Sequence, residues 1–144
     1  MKADRLVIDT NVFIAALITP TGTARQVINT VLAQGIDVLM SEATFDELVS
    51  RLAKPKFDRY RDRESWNAFV GALVDLVVWH EDTDSADGAC FDPDDDKFLS
   101  LATIGAADAI ISGNSDLLDL GSYQGIPIVS PLQFLQSTSS TAGN

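Results

Sequence analysis

The chain is poor in the residues that build thiol and imidazole sites. In 144 residues it has a single cysteine, Cys90, and a single histidine, His80. One thiol cannot close an internal disulfide, and one thiol with one imidazole cannot supply a zinc-finger ligand set. A catalytic pair of Cys90 and His80 is also poorly placed, because Cys90 lies in an acidic stretch that would repel a thiolate; a half-buried cysteine and a strand-end histidine are the simpler reading. No uncharged apolar run approaches the ~20 residues a membrane helix needs. The N-terminus passes directly into Leu6-Val7-Ile8 with no signal-peptide pattern, so the expectation is a cytoplasmic chain without a membrane partner. At roughly 100 to 200 residues per domain the length allows one domain with one core. The 46% hydrophobic and 22% charged residues exclude the composition of disorder.

Cations are scarce as well. Ten Lys and Arg stand against 21 Asp and Glu, for a formal charge of −11, which as a bulk property argues against a non-specific binder of polyanions. The distribution is uneven, however. Six of the ten cations, Arg51, Lys54, Lys56, Arg59, Arg61 and Arg63, fall within thirteen residues, while Glu81 to Asp96 holds eight acids and no cation. The plain reading of the basic strip is a solvated helix-and-loop surface; its functional reading depends on what lies beside it.

Along the chain, short apolar runs alternate with amphipathic stretches. Arg5 to Asp9 reads as a buried strand and Thr21 to Gly35 as a helix with Ala24, Val27, Ile28, Val31 and Leu32 on one face and Gly35 as its stop. Ile36 to Met40 is the next strand-like run. Ser41 then caps a helix from Glu42 to about Ala53, with Phe45, Leu48, Val49 and Leu52 along one side, broken at Lys54-Pro55. A helix from Glu64 to Leu76 leads into a strand at Leu76 to Trp79. Beyond the acidic loop, Asp92 and Pro93 read as the start of a helix from Asp94 to Ile104 that stops at Gly105. A strand at Ala109 to Ser112, a short helix at Asp116 to Leu120, a strand at Pro127 to Val129 and a helix at Pro131 to Gln136 complete a domain over 1–136. Residues 137–144 read as a polar, disordered tail. There is no internal repeat. The alternation implies a three-layer α/β/α fold around a mainly parallel sheet of four to five strands.

In such sheets ligands bind beyond the carboxyl ends of the strands. Asp9 ends the first strand and Asn114 and Asp116 follow the fourth. Glu47 lies on the helix after the second, and Asp96 lies in the first turns of the helix after the acidic loop. Taken singly, each has an ordinary structural use: a turn cap for Asp9, a helix-dipole acid for Asp96, a Glu47–Arg51 pair four residues apart. Together on one rim, four carboxylates repel one another unless a cation sits among them, and an oxygen-only donor set favours Mg²⁺ or Mn²⁺.

The segments Val7-Ile8-Asp9-Thr10-Asn11-Val12, Ser41 through Glu47-Leu48, Asp92-Pro93-Asp94-Asp95-Asp96-Lys97-Phe98-Leu99 and Ile111-Ser112-Gly113-Asn114-Ser115-Asp116-Leu117-Leu118 resemble, in order and spacing, the successive motifs of the PIN-domain ribonucleases. They are most similar to the branch of toxin components of toxin–antitoxin pairs. The resemblance runs from about Leu6 to Leu135. It implies metal-dependent cleavage of RNA, with Asp9 as the first acid, Glu47 the second and Asp96 the third, the last chosen because Asp96, Leu99 and Ala102 fit the family's helix pattern. Asp94 and Asp95 then read as capping and field residues. Thr10, Asn11 and Ser112 match the polar residues that accompany the acids and orient ligands or a phosphate. The resemblance further implies a cognate antitoxin and a homodimer, interfaces that Trp66, Phe69 and Trp79 could serve, although core packing is their default.

One position departs from the family pattern: where the fourth motif usually carries Asp, this chain has Asn114. Its carbonyl oxygen can still coordinate a metal, but the site loses one negative charge, and Asp116 can complete the shell directly or through water. In this context the strip beginning at Arg51, with Lys54, Lys56 and Arg59, can lead an RNA backbone toward the metal or dock an acidic antitoxin segment. Three other readings stand beside this one. A catalytically quiet PIN-like module binding RNA or a partner is kept alive by Asn114. A haloacid-dehalogenase-like phosphatase would also start with a strand-end Asp, but here Asn11 stands where its second Asp or Thr belongs. A flap-type DNA nuclease would need a helical arch for which 144 residues leave no room.

Overall fold

A computed structural model describes residues 3–19, 21–57, 63–82 and 95–142. Six strands and seven α-helices run in the order β1 (Arg5–Ile8), α1 (Thr10–Ile18), α2 (Thr23–Gln34), β2 (Asp37–Met40), α3 (Glu42–Leu52), a 3-10 turn (Pro55–Phe57), α4 (Arg63–Leu76), β3 (Val77–Trp79), α5 (Asp96–Ile104), β4 (Ala109–Ile111), α6 (Ser115–Leu120), β5 (Ser122–Tyr123), β6 (Ile126–Val129) and α7 (Pro131–Ala142). The sheet order is β3-β2-β1-β4-β6-β5. All neighbours are parallel except β5, which returns antiparallel along β6. Among the described residues the sheet has six strands where four to five were expected.

Alternation along the strands sorts side chains into two layers. Leu6 and Ile8 of β1, Val38 and Met40 of β2, and Ala109 and Ile111 of β4 face the layer that receives Phe13, Val27, Leu48, Trp66 and Phe134 from α1, α2, α3, α4 and α7. Val7, Leu39 and Ile110 face the other layer, with Phe98 and Leu99 of α5 and Leu117 of α6. Burying a side chain of this size contributes roughly 1.5 to 3 kcal/mol, so both layers hold the sheet. Among the described residues no helix is long and apolar enough to cross a membrane.

Local signals account for most boundaries. Ser41 opens α3 with a capping box, its hydroxyl accepting from Thr44 N–H while the Thr44 hydroxyl accepts from Ser41 N–H at 3.0 Å. Gly35 ends α2 at φ 64, and the bonds Gly35 N–H to Leu32 O and Ile36 N–H to Val31 O close the left-handed terminus. Several expectations need correction. Helix α1 carries no readable period because it is buried nearly all round, at Thr10, Val12, Phe13, Ile14, Ala16 and Leu17. Leu32 and Val49, expected on buried faces, are 54% and 41% exposed; each lies at the edge of its helix's apolar stripe. Helix α5 starts at Asp96 with Asp95 in the N-cap position, two residues later than expected; Asp92, Pro93 and Asp94, like Cys90 and most of the acidic loop, lie outside the described residues. Helix α7 runs to Ala142 and takes in the first part of the expected tail. Its start is secured by Ser130 and Gln133, which cap each other's N–H groups at 2.8 and 3.1 Å, with Pro131 in the first turn.

Candidate active site

The carboxyl ends of β1 and β4 lie side by side at the centre of the sheet, and the first residue beyond each is polar. Asp9 is the N-cap of α1, its Oδ1 accepting from Asn11 N–H at 3.4 Å. Its other oxygen accepts from the fully buried Ser112 hydroxyl at 2.6 Å. Burial raises the Asp9 carboxyl above its ordinary range, and the nearby Glu47 charge pushes the same way; the Ser112 hydroxyl, the Asn11 amide and the Arg51 guanidinium oppose the rise. Among the described residues the Asp9 side chain is bonded only to neutral donors.

From Ser112 the chain of contacts continues outward. The Ser112 hydroxyl also accepts from Asn114 N–H at 2.9 Å. Asn114 is the N-cap of α6: its carbonyl oxygen accepts from Asp116 N–H at 2.9 Å, and its amide nitrogen donates to Asp95 Oδ2 at 2.9 Å. The family-pattern substitution thus sits in a double role, closing a helix and holding a carboxylate. Asp95, expected to cap α5, makes no capping bond with its side chain; it is buried and turned toward Asn114 instead. Asp96 opens α5 and is 6% exposed. Asp116 is half-buried in the first turn of α6.

On the opposite side, α3 brings Glu47 to the same rim. The Thr10 hydroxyl donates to Glu47 Oε2. Glu47 Oε1 meets the Lys97 ammonium at 2.9 Å and Arg51 Nη2 at 3.4 Å. Arg51 also donates through Nη1 to Asn11 Oδ1 at 2.6 Å, so the i,i+4 pairing and a place at the site hold together. Lys54 and Lys56 are exposed just past the end of α3, and Arg59 lies outside the described residues. Sequence reasoning does not pick out Lys97 or the orientation of Asp95. A signal for Lys97 was present, since it is the only Lys or Arg after position 63.

The expected four-carboxylate cluster is therefore spread along the rim. Among the described residues no three acidic, histidine or cysteine side chains are gathered as a ready-made metal site. The physical reason is that side-chain cations and neutral donors already separate the acids: Lys97 and Arg51 at Glu47, Ser112 and Asn114 between Asp9 and Asp95. The donor set is nonetheless all oxygen, and its most buried member, Asp9, makes no side-chain ion pair among the described residues. Those properties fit a hard divalent cation.

Comparison with known proteins agrees with this arrangement. A family model described as PIN domain matches residues 5–116. The uncharacterized protein MJ1680 of Methanocaldococcus jannaschii is 30% identical over 116 residues, covering 81% of this chain and 74% of the relative. Among solved structures, VapBC2 from Rickettsia felis, bound to a DNA fragment from its promoter, matches with TM-score 0.62 at 10% identity, over 88% of this chain and 98% of that one. Mycobacterium tuberculosis VapC20, a Sarcin-Ricin loop cleaving toxin, matches with TM-score 0.55 at 15% identity, over 85% and 98%. The matched span begins in β1, ends in α6 and contains each acid of the rim together with Ser112 and Asn114, and on that ground the chain belongs to the PIN-domain family.

Proposed function

We propose that this chain is a metal-dependent endoribonuclease and the toxin component of a toxin–antitoxin pair, acting in the cytoplasm with Mg²⁺ or Mn²⁺. The observation that carries the reading is Asp9: a buried carboxylate at the centre of the sheet, raised by burial and bonded only to a hydroxyl and an amide among the described residues. Asp9 and Asp96 would hold the principal ion, with Asn114 and Asp116 completing its shell. Bound there, a divalent cation lowers the pKa of a coordinated water and screens phosphate charge, so no histidine base is needed. Ser112 keeps Asp9 oriented, and Thr10 does the same for Glu47. Asn11 and Arg51 stand at the outer lip, where a phosphate oxygen can exchange for their mutual hydrogen bond. Lys54 and Lys56, exposed past the end of α3, continue the positive charge for an RNA backbone, and Arg59 is expected from the sequence to add to it. The antitoxin is supported by the likeness to a VapBC complex, and two chains are expected to pair.

The test is incubation of the purified protein with a mixed RNA pool and a matched single-stranded DNA, in Mg²⁺, Mn²⁺ or EDTA, with Asp9→Asn as control. RNA loss that requires both the metal and Asp9 is expected. Cleavage retained by folded Asp9→Asn removes Asp9 from the chemistry. No cleavage by the folded parent protein under either metal favours the quiet binding module. Neutralising Lys54, Lys56 and Arg59 should weaken RNA binding and flatten its salt dependence; loss of antitoxin binding alone would assign the strip to the antitoxin.

A further inference from the structure

The two halves of the rim differ in how their charge is balanced. On the Asp9 half the carboxylate is buried and has only neutral donors among the described residues. On the Glu47 half both oxygens are engaged, Oε2 by the Thr10 hydroxyl and Oε1 by Lys97 and Arg51. Lys97 is the closer cation at 2.9 Å, and its side chain is only 22% exposed. Its ammonium also lies 5.4 Å from the ring centroid of Phe98, a fully buried anchor of α5. The placement is economical: the sole cation of the last 81 residues is set against the one acid that α3 contributes to the rim.

We infer that Lys97 is a built-in counter-cation that fills the Glu47 side of the site, so that the chain takes a single divalent ion, on the Asp9 side. A second ion would have to bind Glu47 where a positive charge already stands, and repulsion between that charge and a divalent cation disfavours it. Lys97 is thus a positioning residue: it acts through Glu47, whose other oxygen accepts from the Thr10 hydroxyl. The inference rests on the metal-dependent reading above and adds the number of ions and the residue that sets it.

The experiment is a Mn²⁺ titration of the full chain, followed by the electron paramagnetic resonance signal of free Mn²⁺ and by calorimetry, for the parent protein, Lys97→Met, Lys97→Arg and Asp9→Asn. The parent is expected to bind one Mn²⁺, and Asp9→Asn to lose it. Lys97→Met should bind a second ion, or the first roughly tenfold tighter, as removal of one unit charge beside a divalent ion gives in a water-like dielectric. Lys97→Arg, which keeps the charge, should behave as the parent. A purely structural lysine would lower the melting temperature in EDTA and leave stoichiometry and affinity unchanged in Lys97→Met, which overturns the inference. Two ions in the parent overturn it without recourse to any variant. No Mn²⁺ bound by the parent, or binding indifferent to Asp9→Asn, instead sinks the metal-dependent reading and this inference with it.

Discussion

Replacing Asn114 with Asp restores the residue usual in the family pattern, and the structure sets what that change does before any metal is added. The Asn114 amide nitrogen donates to Asp95 Oδ2 at 2.9 Å; an Asp side chain in the same rotamer would oppose a carboxylate to a carboxylate. Loss of a hydrogen bond to a charged group costs about 1.5 to 3 kcal/mol. Two like charges about 4 Å apart add between about 1 kcal/mol in water and about 4 at an effective dielectric of 20. Asp95 is buried but Asn114 only half so, and rotation of the new side chain toward solvent relieves much of both terms. The expected net destabilisation is about 2 to 3 kcal/mol, or roughly 10 °C in melting temperature for a chain of this size. The N-cap of α6 survives, because Asp accepts from Asp116 N–H as Asn does. Thermal unfolding followed by circular dichroism in EDTA and in Mg²⁺ checks the argument. In EDTA the variant should melt well below the parent, and the gap should narrow as the pH is lowered, because one of the two opposed carboxyls takes up a proton and can again donate. Mg²⁺ at about 100 times its dissociation constant returns about 2.7 kcal/mol, so the variant should recover most of the loss and bind Mg²⁺ more tightly than the parent. An Asn114→Asp protein that melts with the parent in EDTA, or that Mg²⁺ stabilises no more than the parent, refutes the reasoning.

Other outcomes follow from single residues. Asp9 has a raised folded-state pKa, so the native protein binds its proton more tightly than the unfolded chain does and loses stability as pH rises from about the ordinary carboxylate value through the raised one. Metal-free Asp9→Asn should therefore be more stable than the parent in urea at pH 7, with the advantage gone below about pH 3.5; a variant less stable at pH 7 contradicts this. Ala106 sits at φ 52 in the left-handed region, and Ala106→Gly should stabilise by about 0.5 kcal/mol or more as relief of that strain exceeds the added chain entropy; a lower urea midpoint would count against it. At Gly105, a Cβ would collide with Leu39 Cδ1 and stand 3.2 Å from His80 Nε2 and 3.2 Å from Leu101 O. Gly105→Ala should cost about 1 to 3 kcal/mol as the buried Leu39 is displaced, visible as a lower urea midpoint; unchanged stability would mean that the Leu39 side chain moves freely.

What could be read from the sequence depended on whether a segment shows water to one side. Helices α2 and α3 have one buried and one solvated face, and Gly35 and Ser41 mark their ends, so pattern and caps agree. Helix α1 has almost no solvated face and therefore no period to detect. Strand β5 is two residues long, and the turn that returns it to β6 is Gln124-Gly125, with φ of 54 and 80. That is the geometry of a primed hairpin turn written without the Asn-Gly or Asp-Gly pair that signals it. At the site, the positions of Asp9 and Asn114 were legible because the end of a parallel strand fixes where the next residues go, whereas Ser112 was singled out by the family resemblance. Lys97 and Asp95 were not, because their directions depend on the phase of α5, and a start displaced by two residues turns a helix through more than half a turn.

The hydrogen bond between Asp9 and Ser112 joins residues 103 positions apart. During synthesis the N-terminal parts of the rim, Asp9, Thr10 and Glu47, are made long before β4 exists to seat beside β1. Until that strand docks, Asp9 lacks Ser112, and Asp95 lacks the Asn114 amide that holds it. Under the function proposed above, cleavage would require that most of the chain has been translated, because the order of the strands seats β4 beside β1 only late in synthesis.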